Sequence, residues 1–373
     1  MKKLIIQGSG LMSGYIKHYF VCANSAKGFR NLFDSNLNML NKIYILKGGP
    51  GTGKSSLMKK VGTYFANEGF DVDYIHCSSD PDSLDGIVIR KLSVAIVDGT
   101  APHVIEPKAP GAIEEYVNLG VAWNIPELEK HKKEILYLQQ EISGAYPKAY
   151  KHFADALLIH DEWEKIYIDS MDFKKADQLA TKVAHEIIGM NKLDKEATIM
   201  HRFFGASTPK GSINFVPNII NTVKTHYYIK GRPGSGKSTL LKKLMYLAEE
   251  RGIDAEIYHC SFDPDSLDMV LLPELDVCIF DSTAPHEYEP DLTKDHLVDM
   301  YAEIIAPQTD ENNHEVLSDI QKRYKQTISA GTSELSYAKT LHDDLEQYYI
   351  SATDFTKIDA IYEDLLSKIK SLI

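Results

Sequence analysis

Apolar and polar positions follow two regimes along this chain. In the first, short apolar runs stand between polar, glycine-rich turns: Ile43-Tyr44-Ile45-Leu46, Val72-Asp73-Tyr74-Ile75 and Val94-Ala95-Ile96-Val97. Runs of this length bounded by turn residues read as buried strands. After the first run, Leu57 to about Phe65 has the spacing of an amphipathic helix that stops near Gly69. A brief turn or helix over Ser83–Ile89 leads into the third strand, which ends at Asp98. Tyr19 to Ala23 predicts one more strand ahead of these. Strands alternating with helices predict a parallel sheet covered on both faces. The second regime begins after Pro110. From about Ile113 to Ile188 the pattern is helical, with one apolar face at Leu128, Ile135, Leu138 and Ile142. Pro147 separates that helix from one carrying Tyr150, Phe153, Leu157 and Leu158. A third stripe is Phe173, Ala176, Ala180, Val183 and Ile187. Such stripes predict helix packing.

The whole pattern occurs twice. His18-Tyr19-Phe20 recurs as His201-Arg202-Phe203, and Lys27-Gly28 as Lys210-Gly211, at an offset of 183. His76-Cys77-Ser78-Ser79-Asp80-Pro81-Asp82-Ser83-Leu84-Asp85 recurs as His259-Cys260-Ser261-Phe262-Asp263-Pro264-Asp265-Ser266-Leu267-Asp268. Asp98-Gly99-Thr100-Ala101-Pro102-His103 recurs as Asp281-Ser282-Thr283-Ala284-Pro285-His286. The helical part repeats with one residue less of offset: His160-Asp161-Glu162 matches His342-Asp343-Asp344. The chain is a tandem duplication. Its expected organisation is an α/β domain at 1–112, a helical appendage at 113–190, a second α/β domain at 191–291 and a second appendage at 292–373. Gly189 to about Thr198 is the expected linker.

Each copy carries one motif with a specific mechanism. Gly48-Gly49-Pro50-Gly51-Thr52-Gly53-Lys54-Ser55, followed by Ser56, stands between a strand and a helix. Gly231-Arg232-Pro233-Gly234-Ser235-Gly236-Lys237-Ser238, followed by Thr239, stands in the same context. The spacing G-x-x-x-x-G-K-S suits a phosphate cradle. Glycines let backbone N–H groups turn inward, the helix N-terminus adds positive potential, and the lysine reaches the β- and γ-phosphates. Ser55 and Ser238 are candidate Mg²⁺ ligands. Asp98 and Asp281, at the ends of apolar strands downstream, are the candidate carboxylates for the same ion. Ligands of open parallel sheets bind beyond the carboxyl ends of the strands, where these motifs converge.

Composition narrows the partners. The chain has 373 residues, 43% hydrophobic and 25% charged, with 53 acidic and 41 basic residues and a net charge of −12. That balance disfavours nucleic acid, which needs a basic face. Cys22, Cys77, Cys260 and Cys278 have no C-x-x-C spacing and read as reduced thiols of a cytoplasmic protein. The apolar run in Met1-Lys2-Lys3-Leu4-Ile5-Ile6-Gln7 is too short for a signal peptide, and no stretch approaches the length of a membrane span.

Other polar residues in the repeated segments are candidates for water, acceptor or metal: Asp80, Asp82 and Asp85, with Asp263, Asp265 and Asp268. Asp-Pro-Asp-Ser is equally a helix start, with aspartate as cap and proline after it. His103 and His286 leave the strand-end aspartates and are candidates for contact with the γ-phosphate or acceptor. His76 and His259 read as structural. Each adjoins a cysteine that a strand would point to the opposite face, and no zinc-type spacing is present.

On these residues the chain resembles the P-loop NTPase superfamily, with Walker A at 48–55 and 231–238 and Walker B-like strands ending at Asp98 and Asp281. It also resembles a family of tandem-duplicated bacterial ATPase-like proteins of unknown physiological role, through the repeated Asp-Pro-Asp-Ser-Leu-Asp and Thr-Ala-Pro-His segments. The resemblance implies ATP or another nucleoside triphosphate and Mg²⁺ as ligands, with Lys54 and Lys237 as catalytic cations. The chain departs from many hydrolysing members, because Gly99 and Ser282 stand where a water-polarising glutamate often follows the aspartate. Three readings stay open: an ATPase with two sites, a kinase with its acceptor near Asp80–Asp85 and Asp263–Asp268, and a nucleotide-switched scaffold that binds a protein through its helical appendages. The two copies are expected to pair as an intramolecular pseudo-dimer.

Overall fold

The computed structural model describes residues 13–373, so the N-terminal run 1–7 and the start of the first domain lie outside the described residues. The first half contains strands β1 (Ile16–Phe20), β2 (Cys22–Ser25), β3 (Gly28–Asn31), β4 (Lys42–Lys47), β5 (Val72–His76), β6 (Leu84–Ile89), β7 (Val94–Asp98) and β8 (Glu114–Asn118). Helices α1 (Phe33–Leu37) and α2 (Lys54–Asn67) lie among them, and α3 (Ile125–Lys130), α4 (Lys132–Ile168) and α5 (Phe173–Ile188) follow. The second half repeats this order. Its strands are β9 (Ile199–Arg202), β10 (Gly205–Thr208), β11 (Gly211–Asn214), β12 (Thr225–Lys230), β13 (Ala255–His259), β14 (Leu267–Leu272), β15 (Val277–Asp281) and β16 (His296–Asp299). Its helices are α6 (Val216–Ile220), α7 (Lys237–Glu250), α8 (Met300–Ile304), α9 (Thr309–Asn312), α10 (His314–Ser351) and α11 (Phe355–Lys370).

Each half forms a six-stranded sheet, in the orders β1-β5-β6-β7-β4-β8 and β9-β13-β14-β15-β12-β16. The expected all-parallel sheet is in fact mixed, because β6 and β14 run antiparallel to both neighbours. The segment Ser83–Ile89, expected as a turn or helix, is mostly β6. Its apolar, β-branched residues are buried along the whole strand. The links on either side, Cys77–Ser83 and Arg90–Ser93, are too short for a parallel crossover, which takes about a dozen residues. A second difference lies just past residue 112, where helix was expected. There β8 pairs parallel with β4 as the edge strand, and β16 does the same beside β12. Edge strands covered on one face only carry no apolar run for pattern reading to find. A third is Pro147, which lies inside the continuous helix α4. Proline removes one backbone hydrogen bond, but Ala145, Ala149 and Phe153 bury the helix on either side of it.

The appendages cross between the halves. Helices α4 and α10 pack antiparallel: Phe153 lies against Gly331, and Glu162 pairs with Arg323 at 2.6 Å. The crossing delivers α5 to the second sheet, where Ala180, Val183 and Ile187 join the core of Leu240, Leu244 and Ile257. It delivers α11 to the first sheet, where Ile358, Leu365 and Ile369 join Leu57, Val61 and Phe65. Backbone bonds close both exchanges, from Asp354 N–H to the Ala122 carbonyl and from Asp172 N–H to the Ile304 carbonyl, each 2.9 Å. The opposite faces of the two sheets share one core, in which Tyr19, Ile45 and Val97 meet Tyr228, Met269 and Phe280.

At the centre, Phe20 and Phe203, equivalent in the repeat, exchange backbone hydrogen bonds of 2.9 and 2.8 Å. Beside them the repeat is broken chemically. Arg202, fully buried, occupies the position of Tyr19, and its guanidinium lies 4.2 Å from the centre of that ring. Its Nε donates to Asn36 Oδ1 at 2.9 Å. Its Nη1 lies 3.0 Å from Glu256 Oε2, close enough for an ion pair though not aligned as a hydrogen bond. Asp73, the counterpart of Glu256, takes Arg90 Nε at 2.7 Å. Burial pushes the Glu256 carboxyl up, but Arg202 and Lys17 outweigh it and hold that group well below the usual carboxylate range.

Arg202→Met leaves Asp73 and Glu256 facing each other in the interior with less counter-charge. We expect a loss of about 3–5 kcal/mol, the scale for breaking a buried ion pair, read from urea unfolding. Adding Glu256→Gln to that variant is expected to restore part of the loss.

Candidate functional site

The two glycine-rich segments form the turns between β4 and α2 and between β12 and α7. Gly51 and Gly53 have φ of +67° and +85°, and Gly234 and Gly236 have +73° and +84°. These left-handed angles are open to glycine at little cost, and they let the loop close directly onto the helix start at Lys54 or Lys237. Side chains within each loop hold it shut. Thr52 Oγ1 donates to the Gly49 carbonyl at 2.8 Å, and Ser235 Oγ to the Arg232 carbonyl at 2.7 Å.

The lysines lie across the loop mouths. Lys54 Nζ donates to the carbonyls of Gly48 and Gly49 at 3.0 and 2.8 Å and stands 3.5 Å from Asp98 Oδ2. Lys237 Nζ donates to the Arg232 carbonyl at 2.9 Å and stands 3.5 Å from Asp281 Oδ2. Sheet register brings these groups together: β4 lies beside β7 with Leu46 opposite Asp98, and β12 lies beside β15 with Ile229 opposite Asp281. Asp98 Oδ1 accepts from Thr100 N–H and Oγ1 at 2.9 and 2.6 Å, which turns Oδ2 toward the lysine. Ser55 Oγ accepts the Leu84 N–H at 3.0 Å, and Ser238 Oγ the Leu267 N–H at 2.9 Å. The first residues of α2 and α7 are thereby tied to the starts of β6 and β14.

Of the repeated aspartates, Asp85 and Asp268 are the pair drawn into this region. Both are buried on the antiparallel strands. Burial raises the Asp85 carboxyl, and Asp98 adds to the shift while His103 and Lys54 oppose it. Asp268 is pushed up to about 7 by burial and by the charge of Asp281. The other four have structural partners. Asp80 and Asp263 accept the hydroxyls of Ser83 and Ser266 at 2.9 and 3.0 Å, as turn caps. Asp82 pairs with Lys210, and Asp263 and Asp265 pair with Lys27 at 2.5 and 2.6 Å. These ion pairs run between the halves and explain why Lys27 and Lys210 recur.

The histidines also divide. His103 Nε2 lies 3.4 Å from Asp85 Oδ1, beneath Phe29 and Phe33. His286 lies 3.3 Å from the Asn214 amide and is pushed down to about 4 by burial. His76 Nδ1 donates to the Pro81 carbonyl at 2.8 Å, leaving Nε2 to accept from His18 Nδ1 at 2.8 Å. His259 repeats this with Pro264 and His201. Arg232 turns away from its loop to Asp310, with contacts of 2.7 and 3.0 Å.

Pattern reading missed the residues that arrive from the opposite half. On α10, Glu346 Oε1 accepts the Gly51 N–H at 3.2 Å, and Tyr349 packs so closely that a Cβ at Gly49 would sit 2.7 Å from its ring. On α4, the Glu164 backbone packs equally tightly on Gly234. Burial raises the Glu164 carboxyl, while the Gly234 N–H and Lys237 draw it back. His160 and His342 stand one turn earlier on the same helices. The recurrence of His-Asp in both appendages was the available signal, with glutamate four positions after each histidine.

Burial pushes His76 down to about 4 from an ordinary 6.5. Acidification therefore protonates the unfolded chain before the folded one, and the stability tied to neutral His76 is lost as pH falls from 6.5 toward 4. The margin of the wild type over His76→Gln is expected to narrow by about 1–3 kcal/mol between pH 7 and pH 4.5. Urea unfolding at the two pH values measures it, and a margin that widens on acidification contradicts a neutral His76.

Comparison with known proteins returned no match: no family model, no curated protein and no solved structure.

Proposed function

We propose that each glycine-rich loop binds a nucleoside triphosphate together with Mg²⁺, as in the P-loop NTPase superfamily, and that the chain hydrolyses it in the cytosol. The observation that carries this reading is a conjunction found in both halves. A loop with two left-handed glycines enters a helix at a lysine, and that lysine stands 3.5 Å from an aspartate ending the neighbouring parallel strand. Oxygen donors suit Mg²⁺. Ser55 with Asp98, and Ser238 with Asp281, are the residues that would hold it. A Mg²⁺ ion held by these residues would supply positive charge to the phosphates.

The chain's own groups supply the rest. Loop amides and the N-termini of α2 and α7 receive the phosphates. Lys54 and Lys237 exchange their contacts with loop carbonyls for contacts with phosphate. Glu346 already takes the Gly51 N–H, so an arriving anion competes with that carboxylate. In the second half Asp268, buried near Asp281 and Lys237, orients the attacking water in place of the missing glutamate. In the first half the equivalent Asp85 is engaged by His103, which makes the two sites unequal.

The two other readings have less support. Phosphoryl transfer to an acceptor near Asp80–Asp85 needs free carboxylates there, whereas Asp82, Asp263 and Asp265 are paired across the halves. A scaffold needs an unused apolar face on the appendages, whereas most of the stripes on α5 and α11 is buried against the sheets, Phe173 and Phe355 at the helix starts staying exposed. Among the described residues, no helix is long and apolar enough to cross a membrane.

Lys54→Ala and Lys237→Ala are each expected to weaken triphosphate binding at one site by about 10- to 100-fold, from roughly 1.5–3 kcal/mol for a hydrogen bond to a charged group. Isothermal titration checks this, and a folded double variant with wild-type affinity refutes the reading. Asp268→Asn is expected to lower phosphate release by about 10²–10⁴-fold, the range for a positioned base, with nucleotide affinity nearly unchanged. Asp98→Asn and Asp281→Asn are expected to weaken Mg²⁺-dependent turnover more than Mg²⁺-free binding.

A further inference from the structure

The first half holds a cluster of ligand-type side chains that the second half does not reproduce. Cys22 opens β2, Asp85 is the second residue of β6, and His103 lies in the loop after β7. One ligand atom from each falls within 4.8 Å of the other two. The three residues are 0%, 3% and 5% exposed. His103 Nε2 and Asp85 Oδ1 are 3.4 Å apart, close to the spacing of about 3.3 Å for two tetrahedral ligands with bonds of about 2.0 Å. Two polar atoms in this dry setting, Asp85 Oδ2 and His103 Nδ1, have no hydrogen-bond partner. Buried polar atoms are nearly always paired, so the orphaned Asp85 Oδ2 calls for a ligand; an ion held by His103 Nε2 leaves Nδ1, across the ring, unpaired. The thiol of Cys77 is near the same carboxylate but outside the group whose ligand atoms all lie within 4.8 Å of one another.

A thiol, an imidazole and a carboxylate suit a borderline-soft ion such as Zn²⁺, and suit Mg²⁺ or Ca²⁺ poorly. The second half serves as an internal comparison. Gly205 replaces Cys22 in the repeat, and His286 is turned to Asn214. Cys260 and Asp268 remain, but the cluster is dismantled.

We propose that Cys22, Asp85 and His103 bind one zinc-class divalent ion in the first half alone, as three protein ligands with the fourth position left to water. Binding takes the proton of the Cys22 thiol, which leaves to solvent, and forms a bond from its sulfur to the metal with no change of oxidation state. The ion joins β2, β6 and the His103 loop. It also keeps Asp85 from any role at the first glycine-rich loop. The site does not depend on the nucleotide reading.

The test uses the full chain, stripped with a chelator and reloaded with Zn²⁺ or Co²⁺ in the absence of nucleotide. We expect one tight equivalent per chain by elemental analysis and a thiolate-to-cobalt charge-transfer band in the near ultraviolet. Both are lost in Cys22→Ala and His103→Ala and kept in Cys260→Ala. The double variant Lys54→Ala/Lys237→Ala loads one equivalent, as the wild type does. Wild-type protein needs no substitution to give a second reading: one equivalent of Zn²⁺ raises its melting temperature, and the same amount of Mg²⁺ does not. The proposal is overturned by no tight equivalent, by two, by one that survives Cys22→Ala, by one that disappears with the loop lysines, or by a melting temperature that Zn²⁺ leaves unchanged.

Discussion

A sheet with two apolar faces needs two covers, and among the described residues neither half of this chain supplies both for itself. One face of each sheet is closed by α2 or α7 together with a helix sent from the other half. The remaining face is closed by the other sheet and its short helices. The hydrophobic effect is non-directional, so it does not dictate this exchange. The direction comes from α4 and α10, whose antiparallel packing carries each appendage across the centre. The cross-half contacts at the glycine-rich loops follow, because Glu346 and Tyr349 ride on the part of α10 that reaches the first lobe.

Duplication would make the two halves chemically alike, yet they differ where identical residues would conflict. At the centre, positions related by the repeat face each other, so two copies of one charged side chain would meet there. The pair is instead Tyr19 and Arg202, a ring against a cation. Asp73 and Glu256 remain as a like-charged pair and share the cations around them. The same divergence reaches the sites. Cys22 stands against Gly205, His103 and His286 take different partners, and Arg232 replaces Gly49 only to be neutralised by Asp310.

How much of this was legible in the sequence depended on range. The loops and their flanking strands and helices followed from local spacing, because a glycine-rich turn between a strand and a helix leaves few alternatives, whereas the approach of each lysine to its aspartate depends on the pairing of β4 with β7 and of β12 with β15. Strand β6 was misread because an apolar run of its length fits either regular structure, and the short links that decide its direction count only once its neighbours are known. Pro147 was given too much weight, since tertiary packing outlasts the loss of one hydrogen bond. Asp82 and Asp265 read in the sequence equally as candidates for chemistry and as parts of a helix start, and in the structure they pair with Lys210 and Lys27. They recur because Lys210 and Lys27 recur opposite them. Glu164 and Glu346 were overlooked because their partners lie far away in sequence. The Cys22, Asp85 and His103 cluster has no motif spacing, since its ligands come from three separated segments joined by the sheet.

The exchange of helices has a consequence for how the chain is made. The first sheet exposes the face over Leu57, Val61 and Phe65 until Leu365 and Ile369 arrive to cover it. That partner lies about 300 residues later, a separation that places the contact among the slow, non-local kind. At about 5–20 residues per second, the ribosome takes roughly 15–60 s to supply it. Throughout that interval the nascent first half carries an uncovered apolar surface next to a finished glycine-rich loop. The order of synthesis thus separates the making of this surface from the making of its cover, and the chain must hold the surface open in between.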